Sequence, residues 1–542
     1  MPLPTRVLDI GERPLGNTVQ GVRLLESKSS WGKYICLSYC WGSESFITTT
    51  HATLEKHKTN IRWNELPRTF QDAITFAREL EVRYFWIDSL CIIQDDDDDW
   101  HAEAANMGNI YNHSFLTLAA SCASNAKDGC FSSAEGFFST VFTYDFPGFD
   151  RFHIRLSSRS KEYGQELPLN LRGWVLQESL LAERTITFNW DEIGWICREV
   201  STCECANALC RYLVRDKTQK AFSHGKSEAL STHEVKELWA STVMNYCDRA
   251  LTLEKDIFPA ISGVVSRFQR FKKSRYLAGL WESSLVYDMI WSVDSPQVRP
   301  SKYRAPTWSW ASLKMQGVEK LSYDSWPHLE GESYITVLNS WVNLAGPDPY
   351  GEITSASMTI VGLLAAARLE RKEATPDTSD DDQIHLLTSS DPNIKDWPDV
   401  HFDYDMQQPG IYHVPVGSIV YCLKLGQLKF TLKADHEWSI FGLILTCVDE
   451  ENAVFQRIGS MQSFYDEIDG QLDVGKSPYS LAQTSNVLEV LGSGNFNNDA
   501  ECKGKEELDN GKVPGGRKRP QRKESFMEKL FVGAEQKTIT II

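Results

Sequence analysis

The sequence predicts an α/β fold with a parallel sheet in its first half, then a helical segment, then a β-rich C-terminal region. Three observations support this. Strand and helix patterns alternate over the first 125 residues, as a three-layer parallel sheet requires. Apolar residues recur at helical spacing from about residue 231 to 280. Short alternating runs separated by turn residues follow from about residue 331.

The first elements are two short strands, a buried strand and a helix. Residues 7–10 and 22–25 flank a turn-rich stretch and predict a hairpin. Residues 34–39 form a nearly continuous apolar run, which is typical of a strand covered on both faces. Pro67 suits a first helical position. One apolar stripe follows it, formed by Phe70, Ala73, Ile74, Ala77 and Leu80.

The same alternation continues to residue 188. A strand is predicted at 84–88, with Asp88 at its exit, and five aspartates then precede a helix from Trp100 to about Tyr111. Residues 115–120 and 185–188 read as further strands. A long insertion, about 125–168, separates them, and we expect it to be a loop with small strands of its own.

These patterns divide the chain into four parts. A first domain covers residues 1–215, with core motifs over 34–190, and a helical extension covers 216–330. The β-rich region covers 331–493. Residues 494–526 have few apolar side chains and predict a disordered basic tail. Its basic cluster suits a nuclear-import signal, a patch for an anionic partner or a plain solvated tail.

Two helices are predicted in the extension, and a loop in the β-rich region. The first helix has an apolar stripe formed by Val235, Leu238, Trp239, Val243 and Tyr246. The second spans 256–271. In the β-rich region, 357–361 and 418–423 are predicted strands, and the polar stretch 373–384 is a predicted loop.

Composition restricts the function classes. The formal net charge of −17 argues against nucleic-acid binding, because a polyanion is repelled by most of the surface. The longest apolar stretches are far shorter than the roughly 20 residues of a membrane span. The N-terminus has no apolar signal core, so the cytosol or the nucleus is expected. The 13 cysteines are then expected to be mostly reduced thiols.

The segment from Arg172 to Glu178 carries the main candidate for chemistry. Trp174 and Glu178 are four residues apart, which is one helical turn, so both are expected on one face of a short crossover helix. Ligands bind at the carboxyl ends of strands in open α/β sheets. Glu178 there could stabilise a positively charged, sugar-like transition state. Alternatively, Glu178 complements the helix dipole and Trp174 belongs to the core.

Other chemistry receives less support. Cys197, Cys203, Cys205 and Cys210 cluster within fourteen residues, but their spacing suits buried thiols better than zinc. No metal site is predicted. The sequence contains no phosphate-binding P-loop, dinucleotide fingerprint or nucleophile-elbow motif, which argues against the enzyme classes that they mark.

Five ordered motifs resemble the heterokaryon-incompatibility (HET) domain of filamentous fungi. They occupy residues 37–42, 66–73, 86–95, 107–111 and 172–178. Three further pieces, at 249–252, 278–281 and 305–312, resemble the extended family. The resemblance covers residues 1 to about 315. It implies a role in non-self recognition and regulated cell death, with an unidentified incompatibility partner protein.

HET domains are in turn remotely similar to Toll/interleukin-receptor (TIR) domains, which implies a flavodoxin-like parallel sheet. Some TIR domains cleave NAD with a glutamate, and Glu178 matches its position, with Trp174 as the accompanying tryptophan. Asp88 matches an acid at the end of the second strand. The long insertion before Trp174 departs from the pattern and leaves the access to the site and its shape open.

The TIR resemblance implies a site in which NAD⁺ is a substrate and no cofactor is needed. Tyr39 and Trp41 would stack on a flat ring, Gly42 would allow a close backbone approach, and Asp88 would hold a ribose hydroxyl. Core packing is an equally compatible interpretation of the two aromatic residues, whereas for Asp88 a helix cap is the favoured alternative. Arg172 suits a phosphate contact or a surface ion pair.

Self-association is the trigger that the resemblance implies for NAD⁺ cleavage. The alternative is a non-enzymatic scaffold that acts by self-association alone. A scaffold needs exposed interface residues but no open pocket beside Glu178.

Overall fold

The computed structural model describes most of the chain, and every structural statement below concerns the described residues. These are residues 1–11, 21–131, 141–144, 152–155, 167–190, 192–204, 217–222, 230–315, 321–323, 330–371, 385–388, 399–407, 412–432, 435–466, 530–531 and 533–542. The predicted loop at 373–384 and the predicted tail at 494–526 lie outside them.

The N-terminal half is built on an eight-stranded sheet. Its eight strands are β1 (Arg6–Asp9), β2 (Arg23–Glu26), β3 (Tyr34–Ser38), β4 (Tyr84–Trp86), β5 (Leu116–Ala119), β8 (Arg184–Phe188), β9 (Ile193–Cys197) and β10 (Ser201–Cys203). A separate antiparallel pair is formed by β6 (Val141–Tyr144) and β7 (Phe152–Arg155). The strand order is β10-β9-β8-β5-β3-β4-β1-β2. The small strands β6 and β7 lie in the predicted insertion, as expected.

The prediction of a parallel sheet holds only for its centre. Strands β8, β5, β3 and β4 are parallel, whereas β1, β2, β9 and β10 add antiparallel edges. Only four residues join β8 to β9, and a parallel neighbour needs a crossover of a dozen residues or more. The short connection therefore forces an antiparallel pair. The sheet is therefore mixed. The predicted strands are confirmed, and so is the predicted hairpin, which is formed by β1 and β2.

The helices of the chain lie between and after these strands. They are α1 (Leu54–Thr59), α2 (Arg68–Glu79), α3 (Asp88–Cys91), α4 (Asp97–Asn112), α5 (Val175–Leu181), α6 (Lys217–Ala221), α7 (Thr232–Cys247), α8 (Ser262–Lys272) and α9 (Leu285–Met289). No helix in the described part of the chain is both long and apolar enough to cross a bilayer.

Side chains of β3 alternate between two helical layers. The Tyr34 hydroxyl donates to the carbonyl of Ile110 in α4 at 2.6 Å. Ser38 faces the same layer, whereas Tyr39, just after the strand, packs against Phe70 of α2 with 5.0 Å between ring centroids. This alternation is the period of two expected of a strand, and it places α2 on one face of the sheet and α4 with α5 on the other.

Two predicted helices shift at their ends. The stripe on α2 is buried through Ala77, but the helix ends at Glu79, so Leu80 falls outside it and is 42% exposed. Helix α4 begins three residues before the predicted Trp100. The Asp96 side chain accepts the N–H of Asp99 at 3.0 Å and caps the helix there, inside the aspartate run.

The extension contains the two predicted helices, one of them shorter than expected. In α7 a capping box between Ser231 and Glu234 fixes the start, and the predicted stripe faces the core. Helix α8 begins at Ser262 rather than at Asp256. Pro259 cannot continue a helix from the residues before it, so two 3₁₀ turns occupy Glu254–Ile257 and Pro259–Ile261 instead.

The C-terminal half is β-rich, as predicted. Two short pairs come first: β11 (Tyr276–Leu277) with β12 (Leu280–Trp281), and β13 (Ser292–Val293) with β14 (Leu321–Ser322). The strands of the large sheet are β15 (Glu330–Ser333), β16 (Thr336–Leu344), β17 (Ile353–Arg371), β18 (His385–Thr388), β19 (Asp399–Phe402), β20 (Ile419–Leu432), β21 (Asp435–Asp449), β22 (Val454–Asp466) and β23 (Glu535–Ile541). The large sheet closes on itself, because β17 pairs with both β20 and β23.

The two halves share core residues through α5. Leu176, Leu180 and Leu181 are buried in the same hydrophobic core as α7, α8 and the closed sheet. Trp174, just before α5, packs against this core and also against the core of the N-terminal sheet. The short helix α5 is therefore the element on which both halves of the molecule meet.

Candidate functional site

Glu178 lies in the middle of α5, where the N-terminal sheet meets the downstream core. Helix α5 is the short crossover between β5 and β8 that the sequence predicts. The Glu178 side chain turns toward the sheet and is 6% exposed. It meets β3 at Ser38, the last residue of that strand. The carboxylate thus reaches the carboxyl end of a central parallel strand, as predicted.

The Glu178 carboxyl is held by a short hydrogen bond in a dry environment. The Ser38 hydroxyl donates to Oε2 of Glu178 at 2.5 Å, and Ser38 is itself buried. Burial raises the pKa of Glu178 to about 7, because a carboxylate loses its hydration there. The hydrogen bond from Ser38 and the charge of Arg172 both oppose this rise. Glu178 therefore changes charge near neutral pH.

Arg172 links Glu178 with the end of β3. Its guanidinium donates from Nη1 to the carbonyl oxygen of Tyr39. The charge of Arg172 lowers the pKa of both Glu178 and Asp88, whereas the charge of Asp88 raises the pKa of Glu178. The Arg172 guanidinium is therefore a positive charge near the carboxyl groups of Glu178 and Asp88.

Asp88 and Trp41 bind each other at the carboxyl ends of β3 and β4. The Trp41 indole N–H donates to Oδ2 of Asp88 at 2.9 Å, and the Ser89 backbone N–H donates to Oδ1 at 2.6 Å. Burial raises the pKa of Asp88, and the hydrogen bond from Trp41 is the largest opposing cause. The carboxylate therefore orders both the Trp41 loop and the start of α3.

Tyr39 is a core residue with its hydroxyl satisfied inside the protein. It is 2% exposed, donates to Ser89 Oγ at 2.9 Å and packs edge-on against Phe46 and Phe70. Trp41 is partly exposed and meets Phe46 edge-on with 5.5 Å between centroids. Of the two predicted stacking residues, Trp41 alone is partly exposed to solvent.

Gly42 is required by its backbone and by its neighbour. Its φ is +74°, a conformation that side chains with a Cβ rarely adopt. A Cβ at this position would lie 2.4 Å from the Cβ of Asn125. In the described structure Gly42 therefore lies directly against the segment that follows β5.

Trp174 points away from the Glu178 carboxyl and toward the extension. Its indole N–H donates to Oδ2 of Asp256 at 2.9 Å, and its ring meets Trp100 of α4 edge-on. The neighbouring Gly173 N–H donates to the Ala250 carbonyl at 2.8 Å. The segment before α5 therefore packs against residues 250–256, which overlap the downstream motif at 249–252.

The structure brings Tyr39, Trp41, Gly42 and Asp88 together at the carboxyl ends of the central strands β3 and β4. Glu178 and Arg172 lie beside them. It does not bring Trp174 to this group. Two cavities among the described residues lie on α8 and the β16–β17 hairpin, and no residue of this group lines them. Glu178 itself is buried in the described conformation.

Three functional neighbours are absent from the sequence prediction. Ser38 could have been found, since it is the polar last residue of an apolar strand and shares a face with Tyr34 and Cys36. The partners Ser89 and Asp256 could not, because no periodicity relates them to the residues they bind.

The cysteine cluster adds no metal centre within the described residues. Cys203 is buried, and Cys197 accepts the Val200 N–H at its sulfur. Cys205 and Cys210 lie outside the described residues. In the part of the chain that is described, no group of three or more His, Cys, Asp or Glu side chains is placed to hold a metal ion.

Comparison with known proteins identifies one family. Residues 34–178 match the family described as heterokaryon incompatibility protein (HET). Comparison with curated proteins and with solved structures gives no match. The matched range begins at β3 and ends at Glu178, so it contains the strands, the Trp41 loop and the segment before α5 described above. The chain therefore contains a segment, residues 34–178, that matches the heterokaryon-incompatibility (HET) domain.

Proposed function

We propose that this protein is a heterokaryon-incompatibility effector in non-self recognition and regulated cell death, and that its HET domain cleaves NAD⁺ with Glu178 as the catalytic carboxylate. One observation carries the proposal. A buried carboxyl whose pKa is raised to about 7 lies at the carboxyl end of a central parallel strand. Strongly perturbed acids at such positions are typical of functional sites.

The strand order supports a ligand crevice at the carboxyl ends of the central strands. Taken in chain order, the parallel strands β3, β4, β5 and β8 are arranged as 2-1-3-4, which is the order of a flavodoxin-like sheet. The chain leaves β3 toward one side and returns on the other, so the order reverses between β3 and β5. Ligands of such sheets bind at this reversal. Tyr39, Trp41 and Gly42 directly follow β3 there.

The chemistry of NAD⁺ cleavage suits one well-placed carboxylate. Breaking the bond between nicotinamide and ribose passes through an oxocarbenium-like state, which a negative charge stabilises most strongly where water is excluded. Glu178 supplies that charge, Asp88 holds a ribose hydroxyl, and Trp41 stacks on the nicotinamide ring. Because Glu178 is 6% exposed, the loops at these strand ends must open before NAD⁺ can reach it. Self-association is the proposed trigger.

A specific observation favours the second candidate, a non-enzymatic scaffold that acts by assembly. Tyr39, Trp41 and Asp88 already bind one another or their neighbours, and Glu178 is buried. In a scaffold these contacts would only order the strand ends.

Nicotinamide release distinguishes the two candidates. Purified protein is incubated with NAD⁺ at low and at high protein concentration, beside Glu178→Gln. Glu183→Gln is the matched control, because Glu183 lies two residues beyond α5 in an ion pair with Arg198. The enzyme predicts release that rises with protein concentration, disappears in Glu178→Gln and persists in Glu183→Gln. It also predicts a rate that rises through about pH 7, as the carboxylate forms.

Absence of release at every concentration, from a folded sample that self-associates, would reject the enzyme and favour the scaffold. Equal release by Glu178→Gln would reject Glu178 as the catalytic group.

A further inference from the structure

A cavity lies between the segment that follows α8 and the hairpin of β16 and β17. Its volume is about 150 Å³. Most of the residues that line it are apolar or aromatic, among them Phe258, Tyr276, Val342, Leu344, Tyr350 and Ile353. A cavity of about this volume has room for one benzene-sized molecule. The cavity therefore suits a small flat or branched apolar group.

An open cleft, lined mainly by residues with polar or charged groups, adjoins this cavity. The two share Arg275 and Tyr350 in their walls. The cleft is also lined by Lys273, whose side chain is exposed and contacts no acidic group in the described part of the chain. One carboxylate, Glu282, lies in the cleft at 3.4 Å from Arg275 Nη1, but this ion pair is exposed and therefore weak.

Arg275 stands where the two compartments join. Its Nη2 donates to the Ser340 carbonyl of β16 at 2.9 Å, which fixes the guanidinium against the strand that borders the cavity. An arginine has five N–H donors, so this anchored group keeps donors for a ligand. An acid with an apolar body can thus place the body in the cavity and its charge on Arg275.

The surrounding sequence reinforces the positive charge. Residues 267–275 contain five basic residues and no acidic one, in a chain whose formal net charge is −17. Lys273 is held at the end of α8 with φ +46°, a left-handed conformation that is uncommon for lysine. Such a local excess of positive charge attracts small anions.

We infer that this junction is a binding site for a small amphiphilic anion, an apolar body of about benzene size that carries a carboxylate or phosphate group. The inference goes beyond the proposed function and does not depend on Glu178. The hairpin of β16 and β17 also reaches the HET domain, where Glu352 lies 3.9 Å from His101 of α4. A ligand bound at the junction would thus stabilise the contact between the two halves.

Calorimetric titration of the full chain with phenyl phosphate tests the inference, with phenol as the uncharged probe. We expect saturable binding of phenyl phosphate and at least about tenfold weaker binding of phenol. Lys273→Gln should weaken the binding of phenyl phosphate about fivefold without loss of folding, since the described contact of Lys273 is made by its backbone N–H, which the substitution keeps. Val342→Phe should abolish binding by filling the cavity. Arg270→Gln is the control, because it removes one charge from α8 outside both compartments.

The inference is overturned if phenyl phosphate shows no saturable binding, or if phenol binds as tightly. It is also overturned if Arg270→Gln weakens binding as much as Lys273→Gln does, because the attraction would then be general. Thermal unfolding of each variant shows that a loss of binding is not a loss of folding.

Discussion

Burial of Glu178 makes the stability of the protein fall as the pH rises. In the folded chain the pKa of Glu178 is about 7, against an ordinary value of 4.5 for an exposed glutamate. Between these values the folded chain binds a proton that the unfolded chain has released. The free energy of unfolding therefore decreases from about pH 4.5 upward and the loss is complete above about pH 7.

The variant Glu178→Gln should remove this dependence. The amide stays neutral and keeps an oxygen for the Ser38 hydroxyl, so we expect the variant to unfold at a higher temperature than the natural chain at about pH 8. The gain corresponds to at most about 3 kcal/mol, from the difference between the two pKa values. At about pH 4 the two proteins should unfold alike. Thermal unfolding at both pH values measures this, and a variant that is less stable at the higher pH would contradict it.

Gly42→Ala should destabilise the HET domain through two separate effects. The positive φ of +74° costs an alanine about 1 kcal/mol, and the contact with Asn125 adds about 1–3 kcal/mol for an overpacked site. Gly417→Ala is the matched control, because φ there is +92° and nothing lies within 4 Å of the new Cβ. Urea unfolding should show a larger loss for Gly42→Ala. Equal losses would mean that the segment after β5 yields without cost.

At the scale of the element, helix α5 depends on contacts with residues that are distant in sequence. The Gly263 N–H of α8 donates to Oε1 of Gln177 at 2.9 Å, one residue before Glu178. A Cβ at Gly263 would lie 2.7 Å from the Cα of Gly108 in α4. Two glycines thus let α4 and α8 cross closely, with α5 packed against both helices.

Gly263→Ala should therefore destabilise the protein although alanine favours helices. Helix propensity alone predicts a gain of about 1 kcal/mol, whereas the enforced separation of α4 and α8 predicts a loss of about 1–3 kcal/mol. We expect the loss to prevail and amide hydrogen exchange in 175–181 to accelerate. Ser266→Ala, on the exposed face of α8, is the control and should change stability by less than about 0.5 kcal/mol. A more stable Gly263→Ala would show that the crossing is loose.

Local patterns explain which elements could be predicted from the sequence. The apolar run of β3 and the stripe of α2 follow from periodicity, so both are confirmed to within a residue or two. Three other features do not follow from periodicity. The antiparallel pairing of β8 with β9 depends on their short connection, and the start of α8 depends on Pro259. The third feature is the last strand. Strand β23 has buried Ile539 and Ile541, yet it follows a long polar stretch that gave no sign of it.

The candidate site divides in the same way. The position of Glu178 at the end of a parallel strand follows from the alternation of strands and helices, and the geometry agrees with it. The direction of Trp174 does not follow, because its partner Asp256 lies 82 residues away in the chain. Helical spacing fixes where a side chain leaves the backbone, but the tertiary partner decides where a long side chain ends.

At the scale of the whole molecule, one buried arginine of the C-terminal sheet, paired with a carboxylate of the same region, binds the extension. Arg457 of β22 donates to Asp403 at 3.0 Å and to the carbonyls of Met289 and Trp291 at 2.7 and 2.6 Å. Its guanidinium lies over the Trp291 ring, 3.4 Å from the centroid. Arg457 and Asp403 are both fully buried.

Arg457→Met should destabilise the protein by about 3–5 kcal/mol, because it leaves Asp403 buried beside only the more distant Arg299. Adding Asp403→Leu should restore part of the loss, since no uncompensated carboxylate remains. Chemical unfolding of the two single variants and the double variant gives the coupling between them. If the double variant loses the sum of the two single losses, the pair contributes nothing as a pair.

The shared position of α5 predicts that the HET domain is not autonomous. A fragment of residues 1–230 keeps Glu178 but lacks Ala250, Asp256 and Gly263, which hold the helix and the segment before it. It also exposes the apolar side of α5 that the downstream core covers. We expect fast amide exchange in 175–181 and strong binding of a hydrophobic dye, neither of which the full chain should show. A monomeric fragment with a protected α5 would contradict this. If the expectation holds, a fragment that fails to cleave NAD⁺ says nothing about Glu178, and only the full chain can test its chemistry.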